Sequence, residues 1–572
     1  MRMTQSRRPA WLEAGEAWPL TAAVEICCAV TAGIAALTAW TDGLHGELFG
    51  VTVGVRDPVR PLALVVVLLA ARWFIARRRE SPSTVLAVAV PRVMAGALLV
   101  AGVLGWIYYL SPYLGGADSY GYVSAAGRIR SGALVQREAL ADLIPDPGAA
   151  IPLAYVPKPG PPGLSVPAYP LGLPAVMALA TLFGERAPFF VPLVSAAVLV
   201  AVCFWLVQRW THDTTVATAA AAAVAVHPVL FAFAIQPLSD VTAAMWFVVA
   251  AALLLDSRTL FAAVGGAAAG MSVLTRPAQL PACAALILLP LVAGPKRISR
   301  AAAFTSALAV GVAVQLGLQW YLYGSPLAIG YGAAGDLFGL RYLPANVRSY
   351  AHWGFLTQGP IWIGGALVAL ATCRDNSARA TALAAAIGAA LPYAFYRTYD
   401  DWETQRFILS FLVVGTMFAV IGLMSGARRL LGGRAGTWAA LVLIIAMAWS
   451  WARWLERHQV FALAHAQQRF ALAGGLVERV TPADAVILAS LHSGSLRYYA
   501  HRPTIDWGKI APGHFDSTLA ALQRAGRPVF LLLDAEEERQ QFVSRHGRVI
   551  DDQRWLPSGE GRDLLLFQAP AR

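Results

Sequence analysis

Charge is what this sequence lacks. Of its 572 residues only 14% are charged, against about 25% in an ordinary soluble chain. Hydrophobic residues make up 57%, and the mean hydropathy is +0.56. This composition excludes a soluble enzyme with one anchor and requires an integral membrane protein with many spans. Cysteine is also scarce. The five (Cys27, Cys28, Cys203, Cys283 and Cys373) lie in or beside apolar runs, none at zinc-ligand spacing. That argues against a disulfide framework or a structural zinc site. No repeat with a period of about 20–50 residues is evident, so no solenoid signature is present. The net charge of +12 does not call for nucleic acid, because Lys and Arg of membrane proteins gather in cytoplasmic loops and set orientation.

What is there is a series of apolar runs. The basic start, MRMTQSRRPA, precedes a run from Trp18 to Trp40. A signal peptide carries an apolar region of roughly 7–15 residues. This run is longer, contains Glu25 and lacks a clear cleavage site, so it reads as a first transmembrane helix. A helix crosses the hydrocarbon core with about 20 apolar residues. On that measure the chain holds about thirteen candidate spans, the first at 18–40 and the last at 436–455. Three short ones follow one another at 240–256, 259–275 and 277–294. With the N-terminus in the cytoplasm, the turns expected inside contain Arg77-Arg78-Arg79, Arg209, Arg258, Lys296/Arg297/Arg300, Arg374/Arg379 and Arg428/Arg429/Arg434. This is a coherent positive-inside pattern. The loops 112–187, 323–352 and 396–404 then fall outside, as does the tail. The expected organisation is a transmembrane module over 1–455 and an extracytoplasmic domain over 456–572, in a multi-pass protein of the plasma membrane.

The 112–187 loop is too long for a plain connector. Its stretch IPDPGAAIPLAYVPKPGPPGLSVPAYP is too rich in proline for a continuous helix, and suits extended or polyproline-like chain on the membrane surface. The following YPLGLPAVMALATLFG is apolar but short for a span, and reads as an interfacial or re-entrant helix. In the tail, AVILAS, PVFLLLD and DLLLFQ read as buried strands, with helical FDSTLAALQRAG and EEERQQFVSRHG between them. That alternation suggests a small α/β domain. His492, Tyr498 and His501 are its nearest candidates for chemistry, and nothing in their spacing demands any.

One stretch, SPYLGGADSYGYVSAAGRI, places the lone acid Asp118 just past an apolar run, at the outer mouth of the helices. Downstream, IQPLSDVTAAMW puts Asp240 at the outer start of a later helix. With the small residues and Tyr122 after Asp118, and the proline-rich loop running into YPLGLPAVMALATLFG, the chain resembles the polytopic GT-C glycosyltransferases. That is the class of the protein O-mannosyltransferases and the aminoarabinose lipid A transferases. Two departures stand out. Asp118 is followed by Ser119, where the protein mannosyltransferases usually carry paired acids. Only PKPG, with Lys158, answers to the Glu-Lys-Pro element of the aminoarabinose transferases.

The resemblance implies a sugar donor carried on a polyprenyl phosphate and an extracytoplasmic acceptor hydroxyl on a protein, lipid or glycan. It implies inversion at the anomeric carbon, with Asp118 as general base. The departing phosphate needs cations, and Arg276, Arg406 and Lys158 are the candidates, with Tyr122 and Asp240 binding substrate beside them. A divalent cation is left open. Each residue also has a plainer reading. Asp118 could be a loop acid at a helix end, and Asp240 an N-cap. Arg276 could sit at the membrane interface, since an arginine at a helix centre costs about 2.5–3.5 kcal/mol on insertion scales. Arg406, in YRTYDDWETQRFILS, could pair with the acids of its own loop. His227 reads as a core residue, and Trp106, Tyr108, Tyr109, Trp353 and Trp402 as an interfacial aromatic belt. The rival function is a lipid or small-molecule transporter, against which stand the asymmetric outer loop and the lack of an inverted repeat.

Overall fold

The computed structural model describes residues 18–41, 43–48, 51–76, 88–292, 294–332, 334–546, 556–561 and 564–569. The basic segment MRMTQSRRPA and the Arg77-Arg78-Arg79 turn lie outside the described residues. A bundle of helices fills most of the chain. Seven described helices are long and apolar enough to cross a membrane, or eight if the bent pair Thr214–Ala225 and Pro228–Ala234 counts as one span. The expected tally of about thirteen is not confirmed by length and composition among the described residues. The difference lies partly in short helices. Ser239–Leu253 has 15 residues and Thr259–Thr275 has 17, and the apolar stretch after them breaks between Ala285 and Leu288. Ser239–Leu253 is buried on most sides by other helices. A helix shielded all round needs apolar residues all round, so hydropathy alone cannot separate it from a span.

The helices approach closely where they carry glycine. A Cβ on Gly422 would stand 1.8 Å from the carbonyl oxygen of Gly365, and one on Gly311 would stand 2.5 Å from the Cα of Gly270. In lipid, helices gain little from hydrophobic contact with each other, so such small-residue contacts carry their association. The 59° bend between Thr214–Ala225 and Pro228–Ala234 falls at His227-Pro228, where proline cannot continue the hydrogen-bond ladder. His227 is fully buried there, caps the second helix, and bonds Gln358 Oε1 at 2.8 Å. Trp106 and Trp402 are buried in protein, which corrects their assignment to an interfacial belt.

The 112–187 loop holds the helix Gly116–Arg130, a three-stranded antiparallel sheet in the order Gln136–Arg137, Leu164–Pro167, Tyr155–Pro157, and the short helix Gly172–Ala180. Leu179, Leu182 and Phe183 at the end of that last segment are largely exposed. Within the tail, Val486–Leu488, Val529–Asp534 and Leu564–Gln568 form strands, joined by Thr504–Ile505 and Leu556–Gly561 in one five-stranded sheet. Phe515–Arg524 and Ala535–His546 are helical. The sheet does not stand free. Leu140, Ile144, Ala149 and Ala150 of the loop share its core. Arg497 Nη2 donates to the Ala150 carbonyl at 2.6 Å and Lys509 Nζ to that of Ile151 at 2.8 Å. The proline-rich chain is thus seated under the tail in this region. Buried Glu138 ties the parts together, accepting from Arg497 at 2.5 Å, Ser165 at 2.6 Å and Arg128 at 3.4 Å.

Two outcomes are expected. Gly422→Ala should destabilise the bundle by about 1–3 kcal/mol, the usual cost of overpacking, read as a lower melting temperature in detergent. The sidedness expected from the basic turns predicts that cysteines at exposed Ser131 and Ser517, in a variant lacking the five native cysteines, react with an impermeant maleimide added outside intact cells. Labelling only after permeabilisation would reverse the topology.

Candidate functional site

Asp118 lies in the first turn of the helix Gly116–Arg130. Gly116 before it holds φ at +75°, a left-handed conformation open to glycine at little cost. The carboxylate is held at both oxygens. Tyr169 Oη donates to Oδ1 at 2.6 Å, and Arg406 Nη1 lies 3.3 Å from Oδ2. Asp240, buried in the first turn of Ser239–Leu253, is ion-paired with Arg276, which follows directly on Thr259–Thr275. Asp240 is not the N-cap, because Leu238 holds that position and makes no side-chain cap bond; the half-buried Arg276 guanidinium takes the carboxylate instead. Nor does Arg406 pair within its own loop, since its partner is 288 residues away. Tyr122 Oη and Ser239 Oγ share a hydrogen bond of 2.9 Å.

The two guanidinium groups meet over one ring. Arg276 Cζ lies 5.0 Å and Arg406 Cζ 5.3 Å from the centroid of Phe407, within cation–π range. Asp118, Tyr122, Asp240, Arg276, Arg406 and Phe407 all line one cavity of about 620 Å³. Lys158 is not among its lining residues; its ammonium bonds the Tyr321 carbonyl and sits 4.7 Å from the Tyr321 ring. Among the described residues no group of three or more His, Cys, Asp or Glu is arranged to hold a metal ion, and Asp118 and Asp240 already face guanidinium groups. In the tail, His492 is buried and spends Nε2 on Asp534 at 3.0 Å. Burial alone would raise the Asp534 carboxyl, but the His492 bond and charge, with Arg469, hold it below the usual range.

Sequence reasoning missed Tyr169 and Phe407. Tyr169 stands in the AYPLG turn, where the prolines drew the eye and the phenol did not. Phe407, next to Arg406 in a hydrophobic run, carried no signal separable from core. Tyr169 packs 4.9 Å from Tyr122 and 5.6 Å from Tyr331, ring to ring. Burial first, and then the Asp118 charge, push its phenol far above the ordinary value, so it stays a donor.

No protein-family model matches the sequence, and no curated protein matches it. Solved structures do. The structure of ArnT from Cupriavidus metallidurans bound to undecaprenyl phosphate superposes with a TM-score of 0.51 at 12% identity, covering 83% of this chain and 97% of that one. The apo state of the same protein gives 0.50 at 12%, with the same coverage. The chain has the fold of ArnT. At this identity the likeness concerns architecture, which here extends over nearly the whole of ArnT. Asp118 and the two arginines line one cavity of that fold.

The Asp240–Arg276 pair sets a stability test. Removing one partner of a buried pair costs about 3–5 kcal/mol, because the other charge is left uncompensated, whereas replacing both with apolar groups is often neutral. Asp240→Leu should therefore lower the melting temperature in detergent clearly, and adding Arg276→Met should recover most of the loss.

Proposed function

We propose that this chain is a membrane glycosyltransferase. It moves a hexosyl or pentosyl group from a polyprenyl-phosphate donor to an acceptor hydroxyl on the extracytoplasmic side, with inversion. The observation that carries the reading is the convergence of Asp118 with Arg406, Arg276 and Asp240 in one cavity at the helix ends. The ArnT neighbour bound to undecaprenyl phosphate supports a lipid-phosphate donor.

The chemistry follows from charge. The acceptor oxygen attacks the anomeric carbon, a new C–O bond forms, and the bond from that carbon to the phosphate oxygen breaks. The electron pair leaves with the polyprenyl phosphate. The hydroxyl proton passes to Asp118, the general base. Negative charge developing on the phosphate is stabilised by the guanidinium groups of Arg276 and Arg406, whose planar forks suit phosphate better than a lysine would. Both arginines face carboxylates in the resting protein, so the arriving phosphate must draw donors from Asp118 and Asp240. When Arg406 turns to the phosphate, Asp118 is freed to accept a proton. Asp240 then orients Arg276, and Tyr122 with Ser239 forms a polar wall beside it. The tail, seated on the loop that carries Asp118, is placed to shape or recruit the acceptor.

Asp118→Asn should keep fold and insertion and lose about 10²–10⁴ in turnover, measured as release of undecaprenyl phosphate from undecaprenyl-phosphate-linked sugars. Near wild-type turnover would remove Asp118 as the base. Arg276→Ala and Arg406→Ala should raise the donor requirement far more than the acceptor requirement, with lysine rescuing only in part. A purified protein that binds these lipids and moves them across a vesicle without cleaving them would be a transporter.

A further inference from the structure

The two oxygens of Asp118 have unlike partners. Tyr169 Oη sits 2.6 Å from Oδ1, within the short range of a hydroxyl donating to a carboxylate. Arg406 Nη1 sits 3.3 Å from Oδ2, a looser contact from a group that the proposed reaction needs elsewhere. Resting on that reading, we infer that Tyr169 is a positioning residue for the base: it fixes Oδ1, so that Oδ2 is the oxygen that receives the acceptor proton.

The setting of Tyr169 is rigid. Its residue is buried. A Cβ on Gly121 would lie 2.4 Å from its ring, so the glycine lets the Asp118 helix come down onto it. Tyr122 packs on one side and Tyr331 meets it edge-on. The backbone on its N-terminal side is pinned as well: Ala168 N donates to the Ala154 carbonyl at 3.0 Å, and Tyr323 Oη to the Pro167 carbonyl at 2.8 Å. A donor held by packing needs no reorganisation during the reaction, which is where preorganised dipoles contribute most. Its bond also survives proton transfer. Once Oδ2 carries the proton, Oδ1 is the carbonyl oxygen of a carboxylic acid and still accepts from the phenol. Arg406 cannot serve in the same way, because a guanidinium aimed at Oδ2 competes with the incoming proton.

Tyr169→Phe tests this, since it keeps the ring and removes only the hydroxyl. The probes are a panel of undecaprenyl-phosphate-linked hexoses and pentoses for turnover, and undecaprenyl phosphate alone for binding. The loss of a hydrogen bond to a charged group should lower kcat by about tenfold to a hundredfold. The KM for the donor, the Kd for undecaprenyl phosphate and the melting temperature should stay within twofold or unchanged. Wild-type kcat in Tyr169→Phe, beside an inactive Asp118→Asn, would overturn the assignment and leave the glycosyltransferase reading standing. A fall in kcat accompanied by weaker lipid binding and earlier melting would make Tyr169 merely structural and overturn it too. Full turnover by Asp118→Asn, or none of the panel cleaved by the wild type, would overturn the reading of the site and the inference with it.

Discussion

Two carboxylates facing two guanidinium groups in one cavity is the constraint on which the rest of this site depends. A single charge of either sign would be costly among apolar helices. Paired, Asp240 with Arg276 and Asp118 with Arg406, the four groups can be held in a space lined in part by aromatic rings. The pairing also sets what the cavity can accept. An added anion enters a set with no spare positive charge at Asp118, Asp240, Arg276 and Arg406, so it must take arginines from their acids. On the proposed function, a site built this way couples arrival of a phosphate to release of a carboxylate. That coupling is what a transferase needs if its base is to be available only when the donor is in place.

The geometry that gathers these groups comes from short or interrupted helices. Asp240 stands at the start of the 15-residue helix Ser239–Leu253, Arg276 just past the end of Thr259–Thr275, and Arg406 in the turn before Leu409–Leu431. Short helices shielded by neighbours let their ends, and the polar side chains there, come together in one cavity. Phe407 then gives the two guanidinium groups a common apolar platform that keeps them near each other despite their like charge.

Much of this was legible in the sequence, for reasons that differ between residues. Asp118 and Asp240 could be found because acids are rare in so apolar a chain, and Arg276 because it interrupts an apolar stretch. The strands and helices of the tail declared themselves through alternating short apolar runs and amphipathic segments. The number of spans did not, because hydropathy scores a helix buried in protein and one bathed in lipid alike. The pairing of Arg406 with Asp118 was also beyond reach. It joins positions 288 residues apart, while the nearer acids Asp400, Asp401 and Glu403 made a local partner look sufficient. Lys158 illustrates the opposite error of weight: a cation in a suggestive PKPG setting, it is spent on the Tyr321 carbonyl.

Tyrosine was the least legible element, and the reason is chemical. A tyrosine in a membrane protein is expected at the interface, where its ring is apolar and its hydroxyl wet. That expectation absorbs the residue before any other role is considered. Here Tyr169 and Tyr122 are both buried, packed against one another, and both spend their hydroxyls inside the site, one on Asp118 and one on Ser239. A buried phenol needs a partner, and in this cavity the partner of Tyr169 is the carboxylate itself. The same burial that keeps that phenol protonated makes it a dependable donor. The polar face of the site is thus built from neutral hydroxyls and charged pairs, and only the second kind stands out when a sequence is read for charge.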